Sequence, residues 1–431
     1  MAPEAFPQAR MRDLLIQVGR AFPPAEDAIY PLLGVRLYGR GARLQGEFAG
    51  ATLRAPSLYA VSEGDIIYNK MWASKGTFAL VPALQRPHFV TNEYPVFRAR
   101  PGVDSTFLEW VMRRPLFWAR AEAWSRGTTD RARLDASDFL RMPVGIPGFP
   151  EQQAISAMLR AADLAVNLQA TVVQEVAEAK RNVMRQVLTL GVARDPSRLR
   201  PLSERWIMGR IAEGVAAAPE GWRLVQLTRV AKLESGHTPS RDHPEWWSGD
   251  IPWISLQDSD GLVALEIYDS AEKIGPDGLA NSSARLLPKG TVVLQRTASV
   301  GQCSIMGRPM ATSQHFANWV CGPMLDPRYL LQVFRHMGRE WERLQAGSVL
   351  PDIYMPTFKR LQILLPPRPE QERIADIGEA FDGRLEAERA HLVALRAARD
   401  ALAVELLSGR LRLPASVIAR YAAPNPKHEA A

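Results

Sequence analysis

The chain states one pattern twice, and any fold must accommodate both copies. Phe139–Leu140–Arg141, Pro147 and Pro150–Glu151–Gln152 open one long helical stretch. Phe358–Lys359–Arg360, Pro366 and Pro369–Glu370–Gln371 open another. The offset is 219 residues (369 − 150), and it holds without a gap from Phe139/Phe358 through Ile155/Ile374 to Asp163/Asp382. Each copy follows a segment with strand-like runs and Gly/Pro punctuation.

The segments before the helices match more loosely. Glu63–Gly64–Asp65–Ile66–Ile67 parallels Lys289–Gly290–Thr291–Val292–Val293, and Thr91–Asn92 parallels Thr312–Ser313. Gly127–Thr128 parallels Gly347–Ser348. The offset drifts by a few residues, as loop-length differences produce. Strands are expected at Asp65–Tyr68, His88–Val90 and Gly290–Leu294, and helical stretches near Ser105–Ala121 and Pro327–Leu344. Two related scaffolds with different surfaces suit a target with two halves, and duplex DNA is one.

The long helices carry apolar stripes at 3–4 spacing: Ile155, Met158, Ala162, Ala165, Val172, Val176, Ala179, Val183 and Val187 in the first. In the second they are Ile374, Ile377, Phe381, Leu385, Leu392, Leu395, Leu402 and Leu406. A stripe of this kind needs a partner, and each helix offers one to the other. The expected class is α+β: two mixed α/β domains separated by two long antiparallel helices in a coiled coil, with pseudo-two-fold symmetry. The expected segments are 1–149, first domain; 150–190, first helix; 191–218, linker; 219–368, second domain; 369–410, second helix; and 411–431, tail.

With 53 Lys and Arg against 46 Asp and Glu, the net charge of +7 favours a polyanionic partner without requiring one. Only Cys303 and Cys321 are present, without metal-ligand spacing. No window approaches the roughly 20 apolar residues of a membrane span, and no apolar signal core opens the chain. A cytoplasmic protein is expected.

The second module carries a resemblance. Pro219–Glu220–Gly221–Trp222 is followed by Ser235–Gly236–His237–Thr238–Pro239–Ser240 and then Trp246–Trp247–Ser248–Gly249–Asp250–Ile251–Pro252–Trp253–Ile254–Ser255. Further on stands Asn281–Ser282–Ser283–Ala284–Arg285–Leu286–Leu287–Pro288–Lys289–Gly290–Thr291–Val292. This ordered run resembles the target recognition domain of a type I restriction–modification specificity subunit. The Pro–Glu–Gln helix openings and Leu406–Leu407–Ser408–Gly409 resemble that family's helical spacers. The resemblance is weakest in residues 1–60.

The resemblance implies a DNA reader without catalysis, serving an adenine-N6 methyltransferase and type I endonuclease complex. Each domain would read half of a bipartite duplex site, and the helices would set the gap and dock two modification subunits. Restriction subunits would join. S-adenosylmethionine would bind the modification subunit, ATP and Mg the restriction subunit, and this chain would hold no cofactor or metal.

The absence of catalytic motifs agrees with that reading. No Asn/Asp–Pro–Pro–aromatic run and no Gly-rich phosphate loop occurs, and the seven histidines are scattered. A fused methyltransferase or nuclease would need such motifs. A coiled-coil scaffold without DNA remains the other reading.

Candidate DNA-binding residues are polar and placed on loops or strand ends, where Arg and Lys can bridge guanine and Asn and Gln adenine. In the first module they are Arg36, Arg40, Lys70, Trp72, Lys75, Asn92, Arg126, Thr128 and Arg133. In the second they are Thr238, Ser240, Arg241, Gln257, Arg296, Ser299, Gln314 and Ser348. Trp246, Trp247 and Trp253 read as fold-defining, whereas Met71–Trp72 and Phe316–Trp319 could be either.

Overall fold

The computed structural model describes residues 6–127, 132–204, 206–345 and 351–421. Two compact units emerge: Met1–Leu168 with Leu392–Ala431, and Gln169–His391. The boundary falls inside both long helices, so each unit takes part of each. The expected segment borders, drawn at the helix starts, do not coincide with it.

The first unit is built on two sheets. One is antiparallel, ordered Leu15–Gln17, Val96–Ala99, Asp65–Tyr68, Phe78–Leu80. All four residues of Asp65–Tyr68 are buried, because apolar groups cover both faces. Tyr68 packs on Phe139 with ring centroids 4.8 Å apart and donates its hydroxyl to the Leu134 carbonyl at 2.9 Å. On the other side Ile67 joins Leu33, Val90 and Val96. The buried Asp65 carboxylate is met by Arg20, Arg98 and the Ser62 N–H. The second sheet is mixed, ordered Ala21–Phe22, Leu58–Val61, His88–Thr91, Ile29–Val35, Ala42–Ala49.

The helix expected near Ser105–Ala121 is two helices, Ser105–Met112 and Pro115–Trp124. Pro115 has no N–H and keeps Arg114 extended, so the first helix cannot run through. The stretch Pro327–Leu344 likewise divides into Pro327–Arg335 and Gly338–Leu344.

The second unit has a five-stranded sheet ordered Ala231–Ser235, Phe316–Cys321, Val292–Gln295, Cys303–Met306, Glu266–Ile267. Beside it Glu272–Ile274, Ile251–Ile254 and Ala311–Thr312 form a three-stranded sheet. Phe316 and Trp319 are fully buried, which resolves their reading as core. The expected linker is not featureless: Leu199–Pro201 pairs with Ala217–Pro219, and Trp206 is buried in this unit's core.

The long helices span Phe149–Leu190 and Arg368–Ser408. Their buried stripes are more polar than expected. In the first helix Leu159, Val166, Gln169, Lys180 and Met184 are buried, while Ala179 is exposed. The apolar pattern missed Gln169 and Lys180 because each finds a polar partner. Gln169 bonds Glu388, and Lys180 pairs with Asp382, both within the second unit. In the first unit Asp163 accepts from Arg399 at 2.7 Å.

Both helix starts are fixed alike. Gln152 donates to the Pro147 carbonyl and accepts the Asp104 N–H, each at 2.9 Å. Gln371 donates to the Pro366 carbonyl and accepts the Asp326 N–H, each at 2.8 Å. Within each unit the neighbouring Glu receives the backbone that follows the other helix's end. Glu151 accepts from Leu413 N, and Glu370 from Val192 N. Gly409 and Gly191 end those helices at φ +75° and +74°, the left-handed cap that glycine adopts freely. The expected tail is therefore partly anchored, and Ala415–Tyr421 is helical.

Candidate nucleic-acid interface

In the first unit four segments meet. The loop after Asp65–Tyr68 is shaped by Asn69, whose side-chain oxygen accepts the N–H groups of Met71 and Trp72 at 2.9 and 3.3 Å. It closes at Gly76, φ +71°, where a Cβ would strike the Trp118 ring. The hairpin tip joining Ile29–Val35 to Ala42–Ala49 docks on this loop through Tyr38 N to Lys75 O, 2.8 Å, and Gly39 N to Gly76 O, 2.9 Å. On the loop's other flank, Lys70 N bonds Glu93 O and Leu134 N bonds Lys70 O. Arg126 and Arg133 exchange backbone bonds beside it.

Arg36, Arg40, Lys70, Trp72, Lys75, Asn92, Arg126 and Arg133 are thus gathered by one set of contacts; Thr128 lies outside the described residues. Not all are equally available. Arg133 holds Glu93 with two bonds of 2.8 and 2.9 Å, and Arg126 pairs with Asp138 at 2.9 Å. Arg36, Arg40 and Lys75 are exposed, as are Asn92 and Trp72. Sequence reasoning missed Arg43, which is exposed on the same hairpin.

The second unit repeats the frame. Arg296 N bonds His315 O at 2.9 Å, and Ile353 N bonds Arg296 O at 3.0 Å. These are the bonds that Lys70 makes with Glu93 and Leu134, so Lys70 and Arg296 hold the same structural position. Thr238 and Gln314 bond through their side chains at 2.6 Å, and His237 N reaches Thr312 O. The loop 296–302 carries Ala298 at φ +65°, whose N–H reaches Pro351 O. Thr238, Arg296, Ser299 and Gln314 are brought together; Ser348 lies outside the described residues.

Arg296 is committed within the protein. Its guanidinium grips Asp352 at 2.8 and 3.0 Å and donates to the carbonyls of Gln314 and Ile353. The side chain is only 15% exposed. Arg241 is also committed: it lies 3.5 Å over the Trp247 ring and holds Glu272 at 2.6 and 2.9 Å. The Glu272 hydrogen bond keeps that guanidinium's pKa above its ordinary value. Ser240 sits beside it, its carbonyl accepting from Trp247 Nε1. Gln257 is exposed at the start of a 3-10 segment capped by Ser255. Trp253 is buried and donates to His237 O at 2.9 Å, a framework role; Trp246 and Trp247 are half-buried. Burial and the Arg296 charge lower the His315 pKa.

Both faces are loop clusters with cations, amides and hydroxyls on a rigid frame. Among the described residues no His/Cys/Asp/Glu group could hold a metal, and no helix is long and apolar enough to cross a membrane.

Comparison with known proteins gives a consistent result. Residues 219–395 match the model of the type I restriction modification DNA specificity domain. The type I restriction enzyme MjaIX specificity subunit of Methanocaldococcus jannaschii is 28% identical over 184 residues, 42% of this chain and 43% of that protein. The HindI specificity subunit of Haemophilus influenzae is 22% identical over 45% of this chain and 42% of its own length. The chain thus spans less than half the length of these two relatives. The putative MjaX specificity subunit of M. jannaschii is 19% identical over 82% of this chain and 80% of its own. The fold is shared with the HsdS subunit from Thermoanaerobacter tengcongensis, TM-score 0.51 at 17% identity, over 95% of this chain and 98% of that one. A chain from a structure describing assembly and conformational transition of the type I R-M system gives 0.62 at 16%, over 95% and 100%.

Proposed function

We propose that this chain, a type I restriction–modification specificity subunit, reads duplex DNA with its two units, each taking one half of a bipartite site. The observation that carries this is the repeated frame. Lys70 and Arg296 hold one structural position, fixed by the same backbone bonds, while the side chains around them differ. A common scaffold with divergent loops serves two different half-sites.

The helices are read as an antiparallel coiled coil with pseudo-two-fold symmetry that sets the gap between half-sites. The Gln169–Glu388 and Lys180–Asp382 pairs support a fixed register, since a buried polar residue in a stripe specifies its partner. The chain is non-catalytic in this reading. It docks two modification subunits, which bind S-adenosylmethionine and methylate adenine. Restriction subunits join with ATP and Mg.

Light scattering of the complex reconstituted with its modification subunits tests the assembly. Two modification subunits per chain are expected; a stable, active complex containing one contradicts the reading.

A further inference from the structure

The hairpin of the first unit outgrows its sheet. Of Ile29–Val35, only Leu32 pairs with the neighbouring strand, at Phe89. Beyond it the ribbon is held by its own partner from Leu33/Leu44 to Val35/Ala42. Gly34 makes the ribbon thin: Gln45 lies across it where a Cβ would sit 2.5 Å from the amide nitrogen. The tip is not loose, because Tyr38 and Gly39 donate to the carbonyls of Lys75 and Gly76.

Charge on the tip and the loop beneath it is one-sided, the flanking Glu93 being held by Arg133. The chain has 46 acidic residues, yet none falls in residues 28–46 or in 66–92, the stretches that supply the tip and the loop beneath it. Arg36, Arg40 and Arg43 are exposed and make no ion pair among the described residues, and Lys70 and Lys75 stand on the supporting loop. Tyr38 and Trp72 are 55% and 48% exposed beside them.

The second unit differs at the equivalent place. Residues 278–325 also lack acids, but Arg296 is held by Asp352 and Arg285 by Glu234. Lys289 and Arg308 stand at the opposite end of the strand pair Val292–Gln295 and Cys303–Met306. Its loop cluster presents Thr238, Ser299 and Gln314.

From this contrast we infer that the ribbon tip carrying Arg36, Arg40 and Arg43 enters the major groove and reads guanine in the first unit's half-site. The inference rests on the DNA-reading function proposed above. The major groove admits a two-stranded ribbon, and bidentate Arg to guanine O6 and N7 is its commonest specific contact. Three unneutralised guanidiniums on a thin, clamped ribbon meet that geometry, and the supporting lysines neutralise phosphates.

The test is selection from a pool of randomised duplexes by the full chain assembled with its modification subunits, wild type against Arg36→Gln, Arg40→Gln and the triple variant with Arg43→Gln. These exposed positions leave the core untouched, and Arg40→Lys controls for charge. Wild type should select a two-part site with guanine in one half. Losing the reading arginine should cut preference for that guanine roughly 10- to 100-fold, leaving the other half unchanged. If the triple variant keeps the guanine preference, or loses affinity for all sequences alike, the ribbon does not read bases and the inference falls while the DNA-reading function stands. If wild type selects no two-part site, both fall together.

Discussion

Gln152 and Gln371 do the same work 219 residues apart. Each donates to a proline carbonyl just before its helix and accepts the N–H of the Asp that opens an earlier helix in its unit. Both are buried. Removing either side chain orphans an N–H at a helix start and at least one carbonyl, and Gln371 also donates to the Met324 carbonyl at 2.9 Å. Gln152→Ala and Gln371→Ala should each cost about 1–3 kcal/mol. As the two sites share no partners, the double variant should lose the sum. Denaturant unfolding of the three variants checks this; a neutral Gln371→Ala would make the repeat ornamental.

Position 70/296 separates frame from reader. Arg296→Ala leaves Asp352, among the described residues, with only the Thr297 hydroxyl, 2.8 Å away, and should destabilise the protein by about 2 kcal/mol, with the preferred bases of the second half-site unchanged. Lys70→Ala, at the equivalent position, should leave the unfolding midpoint alone. It should lower the salt dependence of DNA binding, the log–log slope falling by about 0.9 for one lost phosphate contact. Binding titrations across salt, with melting curves, distinguish the two.

Asp382 supplies an acid-side test. Burial pushes its pKa up, but the hydrogen bond and charge of Lys180, with Gln332 and Arg335, hold it below the ordinary value. A lowered carboxylate pKa means stability that is present above about pH 4 and lost as pH falls through the folded value. Asp382→Asn should destabilise the protein at neutral pH by roughly 3–5 kcal/mol, because Lys180 remains buried without its partner. The variant should lack that part of the acid-side loss. Urea midpoints from pH 7 to 3 measure both.

His336 acts in a higher window. Burial lowers its pKa to about 4, and its Nδ1 lies 2.7 Å from the Gln332 carbonyl. The folded state therefore resists a proton that the unfolded chain accepts below about pH 6.5. Stability should fall as pH drops from 6.5 towards 4. His336→Gln should show a shallower slope between pH 6.5 and 5; an unchanged slope would remove His336 as its source.

The sequence disclosed the two-part plan because helix starts are local: Phe139 and Phe358, with their Pro–Glu–Gln runs, recur at one fixed spacing. It expected Arg36, Arg40 and Lys75 on loops or strand ends; all three are exposed, the arginines on the hairpin tip and Lys75 at the end of a short 3-10 turn. It could not show that Arg296 is spent on Asp352, since that pairing is 56 residues long and depends on sheet topology. Gln169 and Lys180 were missed in the helix stripe for a related reason: burial of a polar side chain depends on the facing residue, Glu388 or Asp382, which apolar periodicity cannot report. Arg43 was visible only as part of an acid-free window, a feature of neighbouring charge that single-residue reasoning overlooks.

In the proposed function each unit reads its own half-site across a fixed gap. Mapping methylated adenines genome-wide in a host carrying this chain and its modification subunits tests it most directly. One asymmetric motif of two short specified halves around a non-specific gap is expected. Adding seven residues to each helix should lengthen it by about 10.5 Å, or roughly three base pairs, with both halves retained, a longer gap and weaker methylation. A single contiguous motif, or the original gap kept at full activity in the lengthened protein, would contradict it.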